Sequence, residues 1–319
     1  MPHPTVLVTG ASGLVGRHIA GALAASGANV VAVARHAPAS DTPAAAGTSL
    51  SRPPKWLAAD LLDSDRHAEL LARADADILL LGAWVTAHGD FWSSPLNVDW
   101  QQATTDLVRA AAAAGVRRIV GIGTCVEYGA TAPAHLREDM AINAPHTAYG
   151  RAKNATHQAL ARIASAAGLS FAWARLFHVS GAGEPSAKLL SHIVAERLHR
   201  RQPLIREPDR HLDLIDSRDA GAALAMLTLG NAEGAVNIAS GRACRVGDLD
   251  RLAASVLARR YRDDTSEVSG EERVTLPEQH PPFSGLIADV SRMTGEIGYT
   301  PRHEPADTIR AIATAMADA

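Results

Sequence analysis

The sequence predicts an α/β protein, a doubly wound parallel sheet with helices on both faces, followed by a smaller C-terminal domain. Three observations carry this. Short β-branched or Leu-rich runs alternate with Ala-rich helical stretches through the first half of the 319 residues, the rhythm of strands joined by crossover helices. The strand read at Asp77 to Leu81 stays apolar after its first residue instead of alternating, as a strand does when helices cover both its faces. Glycines stand where the helical stretches stop, at Gly27, Gly115 and Gly168, where a left-handed closing residue is needed. Right-handed crossovers then favour the doubly wound topology over a closed eight-fold barrel.

In chain order, Val6 to Val8 reads as a strand, Leu14 to Ala25 as a helix and Val30 to Val33 as the next strand. Residues 37–54 are rich in Ala, Pro, Ser and Thr without an apolar period and read as a loop. Trp56 to Ala59 is a short strand, and Asp63 is placed to cap a helix running to about Arg73. After the strand at Asp77 to Leu81, a helix from about Val98 to Ala114 leads into a strand at Arg118 to Gly123. A helix from about Thr147 to Ala167 leads into another at Ser170 to Ala174. Beyond Phe177 the rhythm loosens. Leu212 to Ile215 and Val236 to Ile238 read as strands returning to the sheet. The expected division is one domain of residues 1–177 with a return segment of about 211–240, and a smaller one of residues 178–210 and 241–319.

Composition excludes several function classes. Hydrophobic residues at 47% and charged residues at 20% fit a soluble globular chain and not a disordered one. Lys and Arg total 31 against 34 Asp and Glu; with no long basic run, nucleic acid is not expected as a partner. Two cysteines, Cys125 and Cys244, are too few for a disulfide scaffold and suit a reducing compartment. The longest apolar-rich region, Leu107 to Ile122, is interrupted by Arg109, Arg117 and Arg118, so no membrane span is expected. The N-terminus lacks the basic and apolar regions of a signal peptide, and the expected location is the cytoplasm. With 14 histidines but no HExxH or Cys/His ligand spacing, no metal site is expected.

Thr9-Gly10-Ala11-Ser12-Gly13-Leu14-Val15-Gly16 follows the first strand and opens the first helix. Gly10 permits the tight turn, Gly13 lets the backbone approach a pyrophosphate, and Gly16 allows close helix–strand packing. The free N–H groups of Ser12, Leu14 and Val15 at the helix start then hold the phosphates. The domain is therefore expected to be Rossmann-like and to bind a nicotinamide dinucleotide. An NAD site would carry an acidic residue about 20 positions on, to accept from the ribose 2′-hydroxyl. The second strand ends instead in Ala34-Arg35, which removes an anionic clash and offers a guanidinium to a 2′-phosphate. NADP is the cofactor this favours, with NAD still open if Arg35 is merely a solvated strand-end residue.

Tyr149 and Lys153 stand four residues apart, on one face of a helix. An unperturbed phenol titrates near 10, and an adjacent cation draws it toward a useful range. Thr124 ends the preceding strand, where its hydroxyl can meet a reacting carbonyl oxygen. Here the chain resembles the extended short-chain dehydrogenase/reductases, the NAD-dependent epimerase/dehydratase family. The likeness covers the 9–16 loop, Asp60, the set Thr124, Tyr149 and Lys153, the stretches 175–181, 213–219 and 237–241, and Gly298 to Pro301. It implies that Tyr149 is the acid/base, that Lys153 lowers its pKa and holds the nicotinamide ribose, and that Thr124 binds the substrate oxygen. Asp60, with Leu61 beside it, would meet the adenine, and Gly82 and Ala83 would line the cofactor cleft. Leu176, Phe177 and His178 would flank the nicotinamide and substrate. A homodimer through the 98–114 and 149–167 helices is implied as well.

Departures from the family pattern narrow the reaction. Sugar-nucleotide 4,6-dehydratases carry Asp-Glu after the catalytic Thr, where this chain has Cys125 and Val126. Fucose-type epimerase/reductases place a Cys and a His at the positions of Val126 and Leu189. What remains is a hydride transfer with one Tyr-mediated proton, most simply NADPH-dependent reduction of a keto group on a deoxy sugar nucleotide. An NAD-retaining epimerase and a reductase of non-nucleotide ketones are the alternatives. Trp84, in the segment 84–92, and Cys125 are candidate substrate contacts. Leu212 stands where sugar-nucleotide members often have a diphosphate Arg, and Arg210, two residues back along a strand, is the expected substitute. A second diphosphate Arg has its place around His280.

Overall fold

The computed structural model describes residues 3–36, 53–85, 91–129, 135–142, 145–260 and 287–318. Most of the loop expected at 37–54, all of residues 86–90, and His280 lie outside the described residues. The elements run β1 (Thr5–Thr9), α1 (Gly16–Ala25), β2 (Asn29–Ala34), β3 (Lys55–Ala58), α2 (His67–Ala74), β4 (Ile78–Leu81), α3 (Leu96–Ala113), β5 (Arg118–Thr124), β6 (His135–Leu136), α4 (Ala148–Ala167) and β7 (Ser170–Leu176). They continue with β8 (His178–Ser180), α5 (Leu189–Leu198), β9 (His211–Asp216), α6 (Ser217–Leu229), β10 (Gly234–Ile238), β11 (Ala243–Arg245), α7 (Val246–Arg260), β12 (Ile287–Ala288) and α8 (Pro305–Ala317).

Seven strands form one sheet in the order β10-β7-β5-β4-β1-β2-β3, every pair parallel. The chain order reverses between β1 and β4, and ligands of such sheets bind in the crevice beyond the strand C-termini at that switch. Alternate residues of a strand face opposite sides. Val6, Val8, Ile78 and Leu80 therefore join one buried cluster with Ile19, Leu23 and Leu224. Leu7, Leu79 and Leu81 join the other, with Leu107, Val108, Leu160 and Trp173. Helices thus cover both faces, which is why the predicted strands carry few polar positions. A third cluster gathers Ile193 of α5, Leu249 of α7, and Ile309 and Ile312 of α8 around Leu212 and Cys244.

The reading of Leu212 to Ile215 as a strand returning to the main sheet is corrected. β9 is a strand, but it pairs in parallel with β8 and antiparallel with β11 in a separate three-stranded sheet. Only Val236 to Ile238, within β10, joins the main sheet, beside β7. The difference is set by Asp213, fully buried, whose carboxylate accepts the N–H and hydroxyl of Ser240 (both 2.7 Å), Gly241 N–H (3.0 Å) and Ala288 N–H (3.1 Å). That polar hub has no place in an apolar parallel core. Asp63 is also corrected: it makes no side-chain cap, and a 3₁₀ turn at Ser64–Arg66 precedes α2. Thr147 caps α4 instead, accepting Gly150 N–H at 3.0 Å, and Gly168 closes that helix at φ 66°.

Candidate active site

The C-termini of β1, β4 and β5 lie side by side in the sheet. Gly10 turns the chain after β1 at φ 71°, and a Cβ there would lie 2.7 Å from the Gly82 carbonyl carbon. A Cβ on Gly16 would lie 2.0 Å from Gly10 O, so α1 can start this close to the loop only with glycine at that position. At Gly13 the one atom near a Cβ would be Gly10 O, at 3.2 Å, and the rest of the space is open. Backbone closeness on one side and clearance on the other is what a pyrophosphate needs. Ser12, Leu14 and Val15 form the turn into α1, and a helix start of this kind favours an anion. These residues fit a nicotinamide dinucleotide.

Thr9, which sequence reasoning passed over, sets the opposite wall. Its Oγ1 accepts the N–H groups of Gly82 (3.0 Å) and Ala83 (3.2 Å), tying the end of β4 to β1. Arg35 directly follows β2, exposed, and among the described residues no ion pair or hydrogen bond engages its guanidinium. Asp60 is exposed beyond β3, and its Oδ1 accepts Leu62 N–H at 3.0 Å. Leu61 is buried in the sheet cluster, so its side chain faces the core.

Thr124 ends β5 in extended conformation and caps the short turn Cys125–Tyr128. Its Oγ1 accepts Val126 N–H at 3.4 Å, which leaves the hydroxyl proton to donate. Near Tyr149 this hydroxyl favours the ionised phenol, against a larger upward push from burial. The Tyr149 ring is met edge-on by Phe91 (5.0 Å) and Trp92 (5.9 Å), both at 87°, and its N–H donates to Trp92 O at 3.2 Å. Lys153 lies one turn further along α4, buried. Its Nζ donates to Ile122 O at 2.8 Å and stands 3.9 Å from the centre of the Trp84 ring.

Two expectations change in detail. The groups acting on the Tyr149 phenol are Thr124, Glu127 and Cys125, behind burial, while the Lys153 ammonium is directed to Ile122 O and the Trp84 face. Burial lowers Lys153 itself to about 7, opposed by the Glu127 charge, which weakens it as a permanent cation. Trp84 flanks the lysine with its ring face. Its Nε1 donates to Asn97 Oδ1 at 2.9 Å, and Asn97 Nδ2 donates to Phe91 O at 2.7 Å and Ser94 O at 2.9 Å. Buried Asn97 thereby fixes the aromatic wall.

The shift of Lys153 has a thermodynamic consequence. Its folded pKa of about 7 lies below the ordinary 10.5, so the unfolded chain binds more protons between these values and stability rises with pH there. The cost of burying the ammonium is full below pH 7 and vanishes above about 10.5. Lys153→Met is therefore expected to raise Tm at pH 6 and to lose that advantage by pH 10, read by thermal melts across the range. A Tm advantage independent of pH would show that Lys153 is not the buried cation.

His178 stands on β8 with its Nδ1 buried and, among the described residues, without a partner. Burial, followed by Arg210, lowers it to about 4, so the ring is neutral near pH 7. Leu176 ends β7, half-buried. Burial raises the Cys125 thiol to about 12, leaving it a neutral packing group beside Tyr128 and Phe177. Arg210 is corrected in its placement: it lies one residue before β9, exposed and 3.5 Å from Glu207, so it shares no strand face with Leu212. Among the described residues, no group of three or more His, Cys, Asp and Glu side chains could hold a metal, and no helix is long and apolar enough to cross a membrane.

A model of the NAD dependent epimerase/dehydratase family matches residues 6–239. The chain is 29% identical, over 98% of its length and 96% of the relative's, to the dTDP-6-deoxy-L-talose 4-dehydrogenase (NAD(P)(+)) of Kitasatospora kifunensis. It is 28% identical, over 96% of its length and 90% of the relative's, to the UDP-glucose 4-epimerase of Azospirillum brasilense. The Bordetella bronchiseptica enzyme WbmG, solved with NAD and UDP, superposes with a TM-score of 0.74 at 18% identity, covering 99% of this chain and 96% of that one.

Proposed function

The chain belongs to the NAD-dependent epimerase/dehydratase family, and from that premise we propose that it is an NADPH-dependent reductase of a keto group on a deoxy sugar nucleotide. One observation carries the reading. The Tyr149 phenol and the Thr124 hydroxyl act on each other at the C-terminal end of β5. The next two positions hold a thiol raised to about 12 and a valine, neither able to move a second proton. These two positions therefore supply no proton carrier for chemistry at a neighbouring carbon, whereas reduction of one carbonyl needs only the Tyr149 proton.

When bound, the nicotinamide supplies the hydride. The rest falls to the protein. Gly13 and the start of α1 hold the pyrophosphate, and Arg35 pairs with a 2′-phosphate. On substrate binding the Thr124 hydroxyl turns its one proton from Tyr149 to the carbonyl oxygen and orients it, and Tyr149, kept protonated by burial, delivers the proton as charge develops on that oxygen. His178 is a polar contact for substrate, since its buried ring nitrogen has no partner among the described residues and such a group is costly until a ligand satisfies it. The relative named as a dTDP-6-deoxy-L-talose 4-dehydrogenase supports a sugar-nucleotide substrate, because dehydrogenation and keto reduction are one reaction in opposite directions.

The test is a panel of 4-keto sugar nucleotides and apolar ketones, followed by NADPH absorbance. Stoichiometric loss with a keto sugar nucleotide is expected. Interconversion of sugar nucleotides without net cofactor loss would instead make the protein an epimerase, the reading favoured by its likeness to a UDP-glucose 4-epimerase. Consumption only with non-nucleotide ketones would remove the sugar-nucleotide assignment.

A further inference from the structure

Glu127 is fully buried, three residues after Thr124, and has no part in the chemistry above. Every hydrogen bond to it comes from a donor. Oε1 accepts Thr124 N–H (2.8 Å) and Trp173 Nε1–H (3.0 Å), and Oε2 accepts Trp173 Nε1–H (3.1 Å) and Arg175 Nε–H (3.3 Å). Burial pushes this carboxyl upward, but a protonated form would need an acceptor and all three partners are donors. The ionised form is the one that fits.

The strand is built around it. A Cβ on Gly123 would lie 2.3 Å from Glu127 Oε1 and 2.2 Å from Trp173 Nε1, and a Cβ on Gly121 would lie 2.4 Å from the Trp173 ring. Glycine at these two places in β5 gives the carboxylate and indole their room beneath Thr124. Arg175 is fixed in turn, donating to Tyr128 Oη (2.9 Å) and Glu138 O (3.2 Å), while Tyr128 donates to Asn237 (2.8 Å). A carboxylate serving only to neutralise Arg175 has no need of the Thr124 N–H, yet that is its shortest contact.

We propose that Glu127 is a positioning residue for proton transfer: its carboxylate clamps the Thr124 backbone, holding that hydroxyl against Tyr149, and sets a negative charge beside Gly123, the residue next to the Ile122 carbonyl that holds the Lys153 ammonium. The proposal rests on Thr124, Tyr149 and Lys153 being the reactive set. The ionisable groups around Glu127 are Cys125 and Tyr128 on its own turn, Arg175 on β7, and Tyr149, Lys153 and His157 on α4. Asp213 of β9 and Glu138 act on Cys125 and Tyr128 beyond them. His157 stacks on Trp173 at 5.1 Å, and burial lowers it to about 4, so it adds no charge near neutrality. Glu127 is the charge that acts on Lys153.

The chain has three lysines, Lys55, Lys153 and Lys188, so Lys153 can be followed by NMR of the full-length, unliganded protein labelled with [ε-13C]lysine. Its titration is expected near 7 in the wild type, and Glu127→Gln should move it down by about one pH unit as the opposite charge is lost. Glu127→Asp keeps the charge but withdraws it from the Thr124 N–H. It should leave the Lys153 titration near the wild-type value while kcat falls roughly ten-fold, the loss expected for one charge-assisted hydrogen bond. A merely structural role would lower Tm in both variants and leave Lys153 unmoved. An unchanged titration in Glu127→Gln overturns the charge role, and wild-type kcat in Glu127→Asp overturns the clamp. Should Glu127→Gln not fold, the Asp variant decides the clamp by kcat. The titration needs no substrate, so failure of the reductase reading is told apart from failure of this one.

Discussion

Tyr149→Phe is expected to lower turnover by roughly 10²-fold or more, since a positioned general acid typically supplies that much, while cofactor affinity stays nearly unchanged. The substitution removes one oxygen and keeps the ring. The edge-on contacts with Phe91 and Trp92 and the N–H bond to Trp92 O do not depend on the hydroxyl, so the fold has no reason to respond. What is lost is the proton held beside Thr124. Burial keeps the phenol well above its ordinary range, so it remains an acid throughout any practical assay, as keto reduction demands. The measurement is single-turnover NADPH oxidation beside a cofactor titration. Turnover comparable to wild type would remove Tyr149 from the mechanism; parallel loss of cofactor binding would make it a structural residue.

The sheet was legible because its strands obey local rules. Each alternates between two helix-covered faces and so reads as an apolar run, and Gly27, Gly115 and Gly168 at positive φ punctuate the helices as sequence patterns require. The glycine turn after β1 was legible for a similar reason: Gly10 and Gly16 are forced by backbone contacts a Cβ would destroy. The second half was not. β9 looks like any core strand until Asp213 is seen joining it to Ser240, Gly241 and Ala288, partners 27 to 75 residues away. Such long-range polar contacts leave no periodicity. Thr9, Asn97 and Glu127 escaped notice for the same reason, since each acts through buried bonds to other elements. One signal was available for Glu127, a capping box starting at the Thr124 already singled out.

The remaining prediction concerns cofactor choice. Ala34-Arg35 occupies the strand end where an NAD enzyme places a carboxylate, and Arg35 is exposed without a partner among the described residues. Among the described residues its guanidinium has no bond to give up when a 2′-phosphate arrives, so the gain of pairing is not offset by breaking one of these. A charge-assisted bond of this kind contributes about 1.5–3 kcal/mol, roughly ten-fold to a hundred-fold in affinity. Arg35→Ala is therefore expected to weaken NADPH binding within that range and to change NADH binding little, because NADH has no 2′-phosphate to lose. The pairing is exposed, so the NADPH preference should also shrink as salt is raised. Paired titrations of both cofactors on both proteins decide it. A wild type that prefers NADH, or a variant that weakens both equally, would make Arg35 only a solvated strand-end residue. A tightly retained NAD would then be the simpler cofactor, and epimerisation, which regenerates it in every cycle, would fit the same Thr124 and Tyr149 better than net reduction.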